Sequence, residues 1–326
     1  MSDLYQSVDI ISFRNATRDI TFDVFLKLSD NNYAHVFSRT TGLDYKRLAQ
    51  YIQKGVRQLY IRRADQQAYE QFVTKTADSI FHDPNVPNEK KIASLLNMTE
   101  QNMSEIFALA RVPEATAKNA QKVVKNYVNL MVENPKSLAV ILKLVSHGDF
   151  LYYHSIATAI FSMFMAKASG QYNTRTLELV GMGGFLHDIG STKLPKELVC
   201  AADDLQGTEL YKMREHPKLG LEMVEKTPNV PDEVRYIIYQ HHEQPGGGGF
   251  PNQIRGPVIY HPAKLVAIAD AFSGLISKRP NRPAFTPEQA IALMRREAGK
   301  YDRDLLNLLA SIFLRGSSQG SGGKAA

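Results

Sequence analysis

The chain has 326 residues, 44% of them hydrophobic and 22% charged; that is enough for a sizeable core in roughly two domains and excludes a wholly disordered chain. The formal net charge of +6 suits an anionic ligand such as a nucleotide, does not require nucleic acid, and fits an ordinary basic surface equally. A single cysteine, Cys200, excludes an internal disulfide, the N-terminal MSDLYQSVDI has no apolar core of the secretory type, and the longest apolar stretch, near Ile156 to Ala166, is too short to span a membrane, so a cytoplasmic protein is expected.

Ile20, Phe22, Val24 and Leu26 alternate with more polar neighbours and predict a half-buried strand. A turn at Asp30-Asn31-Asn32 leads to a second strand over Tyr33 to Ser38. Asp44 is placed to cap a helix that Gly55 ends, Val56 to Ile61 predicts a third strand, and Ala64 to Phe81 a second helix. Residues 1–83 are therefore expected to form a small α+β domain, with roles in sensing, partner docking or dimerisation all open. Pro84 and Pro87 break the chain, and the pattern is helical from Lys90 onward. Helices are expected over 88–110 and 113–132, making 84–136 a helical linker that either transmits a signal or packs on the C-terminal domain. Further helices are expected over 137–147, 150–168, 174–187, 207–226, 231–242, 262–277, 286–298 and 301–315, giving an all-helical domain over 137–315. The Gly- and Ser-rich tail, 316–326, predicts disorder. The fold class is mainly α.

Seven of the nine histidines fall between 147 and 261. In GGFLHDIG (183–190), an apolar helical stretch delivers His187 and Asp188 side by side and stops at Gly190. A carboxylate in such surroundings needs compensation, from a metal ion or from an ion pair with its neighbour. In QHHEQPGGGGFP (240–251), His241 and His242 close an apolar helix and a glycine run follows. Paired imidazoles at a helix end can converge on one ion; an exposed pair before a flexible loop is the alternative. Asp270 sits in the nearly apolar LVAIADAFSGLI, where a metal, a helix cap or Ser273 can compensate it. His154 and His216 carry little weight alone, since a lone histidine is more often packed or exposed.

Taken together, HDIG, EHPKLG, HHE, GGGFP, ADAF and RPNR occur in the order that resembles the HD-GYP subfamily of the HD-domain metal-dependent phosphohydrolases, over roughly 140–315. The resemblance implies an all-helical HD-type domain in which His154, His187, Asp188 and Asp270 hold one metal and His216, His241 and His242 the other, with Asp188 bridging. It implies iron or manganese, a metal-activated hydroxide, and hydrolysis of cyclic di-GMP or a related phosphodiester. It also admits a signalling protein partner such as a diguanylate cyclase. Arg279 and Arg282 match phosphate-gripping positions, where guanidinium suits bidentate binding, and Lys193, Gly249 and Phe250 are further candidate substrate contacts.

The chain departs from that pattern in four places. Phe250 stands for the tyrosine of GYP, Ser191 for a lysine, and Gly246 for a polar residue. Phe150 occupies the position from which some members ligate a third metal, which predicts two ions. The first three changes touch substrate grip more than metal binding, so a receptor that binds a cyclic dinucleotide or a protein with little turnover, or a phosphohydrolase for another nucleotide, stays open. His82-Asp83 sits in a proline-broken loop and is expected to be linker; His147 and His261 match no ligand position.

Overall fold

In a computed structural model of the chain, the described residues are 4–14, 16, 18–30, 32–133, 150–200, 205–278 and 282–314. The helix expected over 137–147, Arg279 and the tail from 316 onward lie outside them, as does the side chain of Phe150. Two compact units divide between Met98 and Thr99.

The first unit carries a four-stranded antiparallel sheet of β1 (Tyr5–Asp9), β2 (Val24–Ser29), β3 (Asn32–Phe37) and β4 (Gln58–Arg62), in the order β1-β4-β2-β3. The β1 strand was not expected. Its sequence, YQSVD, buries only Val8, so as an edge strand it lacks the alternation that marks a half-buried one. Asp44 caps α1 (Tyr45–Gln53) by accepting from the Lys46 and Arg47 amides, and Gly55 follows at φ +79°. The helix α2 (Gln66–His82) packs Tyr69 and Phe72 onto Phe13 and Phe22 to form the unit's aromatic core.

The helix α3 (Asn88–Leu109) runs through the division, and α4 (Glu114–Glu133) follows. The stretch expected as a linker is thus shared between the units. The reason is packing: Met103, Ile106, Ala117 and Ala120 are buried in one cluster with Phe185, Leu186 and Val234, and α4 lies against the helix that delivers His187.

In the second unit α5 (Phe150–Ser169), α6 (Thr174–Leu186), α10 (Asp232–Gln240) and α11 (His261–Ile276) form the frame, with α5 packed on both α6 and α11. Gly184 lets α6 approach the α5 backbone at Ala159, where a methyl group would overlap it. A short 3-10 turn, Ile189–Lys193, leaves α6 and is followed by α7 (Lys196–Cys200). The single helix expected over 207–226 is two, α8 (Gly207–Met213) and α9 (His216–Val224). Pro217 lacks an amide proton and sits in the first turn of α9, where none is needed, so the helix restarts there. The helices α12 (Pro287–Arg296) and α13 (Arg303–Leu314) complete the unit. Among the described residues no helix is long and apolar enough to cross a membrane.

Candidate metal centre

Five elements bring the seven predicted side chains together. His154 projects from α5, His187 and Asp188 follow α6, His216 opens α9, His241 and His242 follow α10, and Asp270 lies in α11. Donor atoms of Asp188, His216, His241 and His242 lie within 4.8 Å of one another, as do those of His154, His187 and Asp188, and those of His187, His241 and Asp270. Asp188 belongs to the first two groups. Its Oδ1 is 3.1 Å from His216 Nε2 and 3.9 Å from His241 Nε2, while its Oδ2 is 3.6 Å from His187 Nε2 and 3.9 Å from His154 Nε2. Asp270 Oδ1 lies 3.0 Å from His154 Nε2 and 3.7 Å from His187 Nε2.

Backbone carbonyls orient three of the rings. His187, His216 and His241 each place Nδ1 2.8 Å from the carbonyl oxygen three residues earlier, of Gly184, Met213 and Ile238. A carbonyl only accepts, so Nδ1 carries the proton and, in the neutral ring, Nε2 presents a lone pair to the site. His154 reaches the same state through a side chain. Ser273 donates its one proton to the Asp270 carbonyl oxygen at 3.0 Å, so it accepts from His154 Nδ1 at 3.0 Å and from Thr158 at 2.8 Å.

Electrostatics divide the rings. Burial opposes charge on His187, but the carboxylates of Asp188 and Asp270 overcome it and push that ring up to about 9. Burial, then the neighbouring His216, lowers His242 to about 3, and burial with the rings of His242 and His187 holds His241 well below the usual imidazole range. Burial favours the neutral form of Asp188, yet His187 and His216 hold it well below the usual carboxylate range; His154 and His187 do the same for Asp270. Among the described residues His187 Nε2 is fully buried and has no partner at hydrogen-bond distance, the nearest carboxylate oxygens of Asp188 and Asp270 lying 3.6 and 3.7 Å away. A buried orphan nitrogen, converging lone pairs and a shared carboxylate are the donor set that a cation satisfies, so the residues present fit a metal.

The centre opens into a cavity of about 500 Å³. Of the candidate substrate contacts, Phe250 and Arg282 line it. Phe250 stacks on His242 with ring centroids 4.5 Å apart. The Arg282 guanidinium donates to the carbonyl oxygens of Gly274 and Leu275, capping α11, and to that of Pro283. Gly249 and Lys193 do not line this cavity. Gly249 is packed so tightly on the backbone of His242 to Gln244 that no side chain fits, and Lys193 is exposed. Ser191 donates to the Asp188 carbonyl oxygen at 2.6 Å, steadying the turn beneath the shared ligand. Gly246 donates its amide to the Gly299 carbonyl oxygen at 2.8 Å.

The sequence did not single out Glu243, Arg214, Lys300 or Tyr301. The buried Glu243 carboxylate accepts the amides of Asn252 at 2.6 Å and Ile254 at 3.0 Å, and so ties the loop beyond Phe250 to the histidine pair. Its position directly after His241-His242 was the available signal. Arg214, Lys300 and Tyr301 line the cavity; the latter two come from a loop far along the chain, with no local pattern to mark them.

The family model described as "HD domain" matches residues 140–305, just over half of the chain. The chain is 31% identical over 145 residues to the cyclic di-GMP phosphodiesterase response regulator RpfG of Xanthomonas campestris pv. campestris, covering 44% of this chain and 37% of that one. It is 25% identical over 211 residues to the cyclic di-GMP phosphodiesterase PA4108 of Pseudomonas aeruginosa, covering 64% and 51%. The chain thus spans about half or less of these relatives' own lengths. Bd1817, a HDG"Y"P protein from Bdellovibrio bacteriovorus, shares the fold with a TM-score of 0.70 at 22% identity, over 96% of this chain and all of that one.

Proposed function

The chain belongs to the HD-domain family, and on that premise we propose that it is a metal-dependent phosphodiesterase that hydrolyses cyclic di-GMP or a related cyclic dinucleotide. The observation that carries this reading is the two-sided placement of Asp188, whose one oxygen faces His216 and His241 and whose other faces His154 and His187. That placement supports two ions, with His154, His187 and Asp270 on one side, His216, His241 and His242 on the other, and Asp188 between them. Iron or manganese suits this imidazole and carboxylate set. When bound, such a pair supplies an activated water and neutralises charge on the transferring phosphoryl group.

The chain's own residues prepare that chemistry. Carbonyls of Gly184, Met213 and Ile238 and the hydroxyl of Ser273 lock four rings in the ligating tautomer. Glu243 holds the loop that bears Phe250, whose ring extends an apolar wall from His242 into the cavity. No side chain there needs to act as nucleophile.

A receptor that binds without appreciable turnover is the second reading. It is favoured by Arg282, whose guanidinium already serves helix carbonyls, and by Lys193, which does not line the cavity. One assay separates the two. Metal-replete protein should convert cyclic di-GMP to a linear product, and Asp188→Ala should not. Tight binding without product would support the receptor, and absence of bound transition metal after reconstitution would overturn both.

A further inference from the structure

The cavity over the metal centre is lined, among the described residues, by three cationic side chains: Arg214, Arg282 and Lys300. Two are committed elsewhere. The Arg282 guanidinium donates to carbonyl oxygens at the end of α11. Lys300 Nζ lies 2.7 Å from Glu297 Oε1, and Tyr301 donates to the other oxygen of the same carboxylate. Arg214 differs. Its guanidinium carbon lies 5.4 Å from the centroid of the Phe250 ring, its side chain is exposed, and it makes no ion pair among the described residues. Its backbone amide donates to the Leu210 carbonyl oxygen at 3.0 Å, which fixes the turn two residues before His216.

Phe250 therefore joins two groups. Its ring stacks on His242 and also carries the Arg214 guanidinium. A guanidinium resting on an aromatic face keeps its in-plane donors available for a bidentate oxyanion. The same ring thus lies against both the histidine cluster and that cation. A cyclic dinucleotide has two phosphodiesters, and only one can lie at the reacting centre at a time. The second brings a charge that must be met beside the centre.

We propose that Arg214, held on Phe250, forms an anion subsite that binds the non-reacting phosphate of a cyclic dinucleotide. The subsite rests on the function proposed above and deepens it. Arg214 is a specificity residue here: it selects substrates with a second phosphate and takes no part in breaking the first ester.

The test compares metal-loaded full-length wild type, Arg214→Ala and Arg214→Lys on cyclic di-GMP and on bis(p-nitrophenyl) phosphate, a diester with one phosphorus. Loss of one charge-assisted bidentate contact should raise KM for cyclic di-GMP about tenfold or more in Arg214→Ala. The expected kcat stays within about twofold, metal content is unchanged, and hydrolysis of the simple diester is unchanged; Arg214→Lys recovers part of the loss. An unchanged KM, or an equal loss on both substrates, overturns the subsite while leaving the phosphodiesterase reading intact. If wild type turns over neither substrate, that reading fails, and equilibrium binding of cyclic di-GMP decides the subsite. Binding about tenfold weaker in Arg214→Ala then supports it, whereas equal binding, or none by wild type, overturns it.

Discussion

The Nε2 atoms of His216 and His241 face each other at 3.2 Å, although each ring already donates its Nδ1 proton to a backbone carbonyl. Two neutral rings so arranged have lone pairs opposed and no proton to share. The contact is unfavourable unless a proton or a metal ion stands between or beside them. Burial and the neighbouring rings hold His241 well below the usual imidazole range, so a metal ion that takes both lone pairs is the partner this pair of rings suits.

Metal uptake should therefore depend on pH in a stated direction. In the metal-free protein His187, pushed up to about 9, is protonated at neutral pH, and a metal must displace that proton. Affinity should rise as pH increases towards 9. Titration calorimetry in buffers of different ionisation enthalpy should register proton release near pH 7.5, and buffer-independent heats would contradict the assignment.

Thermal stability of the metal-free protein should also peak near the ordinary imidazole pKa of about 6.5. His187 is raised in the folded state, so its stabilisation is complete below that value and is lost as pH rises through about 9. His242 is lowered to about 3, so stability falls as pH drops from about 6.5 towards it, and the depressed Asp188 and Asp270 add to the loss at the acid end. A scan of Tm between pH 4 and 9.5 on chelator-treated protein checks this; a profile that climbs steadily to pH 9 would be the contrary result.

Ser273→Ala removes the acceptor 3.0 Å from His154 Nδ1 and the hydroxyl that bonds the Asp270 carbonyl. Loss of such an outer partner typically lowers metal affinity by about 10–100-fold. Competition with a calibrated chelator should show this loss on the His154 side and little change on the other, where backbone carbonyls orient His216 and His241.

Gly190→Ala should disturb the other side. A methyl group on Gly190 would overlap the His216 carbonyl oxygen and the Gly220 amide nitrogen. Such overpacking costs about 1–3 kcal/mol, and because the nearest group is the His216 carbonyl, relief is expected to displace His216 relative to Asp188. Lower Tm together with lower metal content per chain is the expected pair of results. Full occupancy at wild-type Tm would show that α9 does not need this close approach.

Glu243→Ala leaves the amides of Asn252 and Ile254 without their buried acceptor. The expected cost is on the order of 2 kcal/mol or more. Amide exchange should accelerate over residues 250–254 first, because Glu243 is what ties that loop to the histidine pair. Faster exchange spread evenly across the whole unit would instead indicate a global effect.

The sequence by itself determined where buried polar side chains need a compensating partner. An aspartate in an apolar helical stretch carries a desolvation penalty that is local, so Asp188 and Asp270 could be read as needing a metal or another partner before any fold was known, while the resemblance in motif order joined them to His187, His241 and His242. His154 and His216 had no such local signature and rested on motif order alone. The helical character of the C-terminal half was equally legible from its periodicity, while the polar edge strand β1 and the break between α8 and α9 were not.

Only the tertiary structure decided how the charges over the centre are spent. Arg282 and Ser191 face backbone carbonyls, Lys300 and Tyr301 share Glu297, Glu243 anchors a loop, and Arg214 rests on Phe250 with no ion pair among the described residues. The physical reason is reach. Hydrophobic patterning and desolvation act along a helix and leave a periodic trace, whereas a hydrogen-bond partner is chosen among groups that folding brings from distant positions. Which arginine remains available to an anion is a property of that choice, and no single segment encodes it.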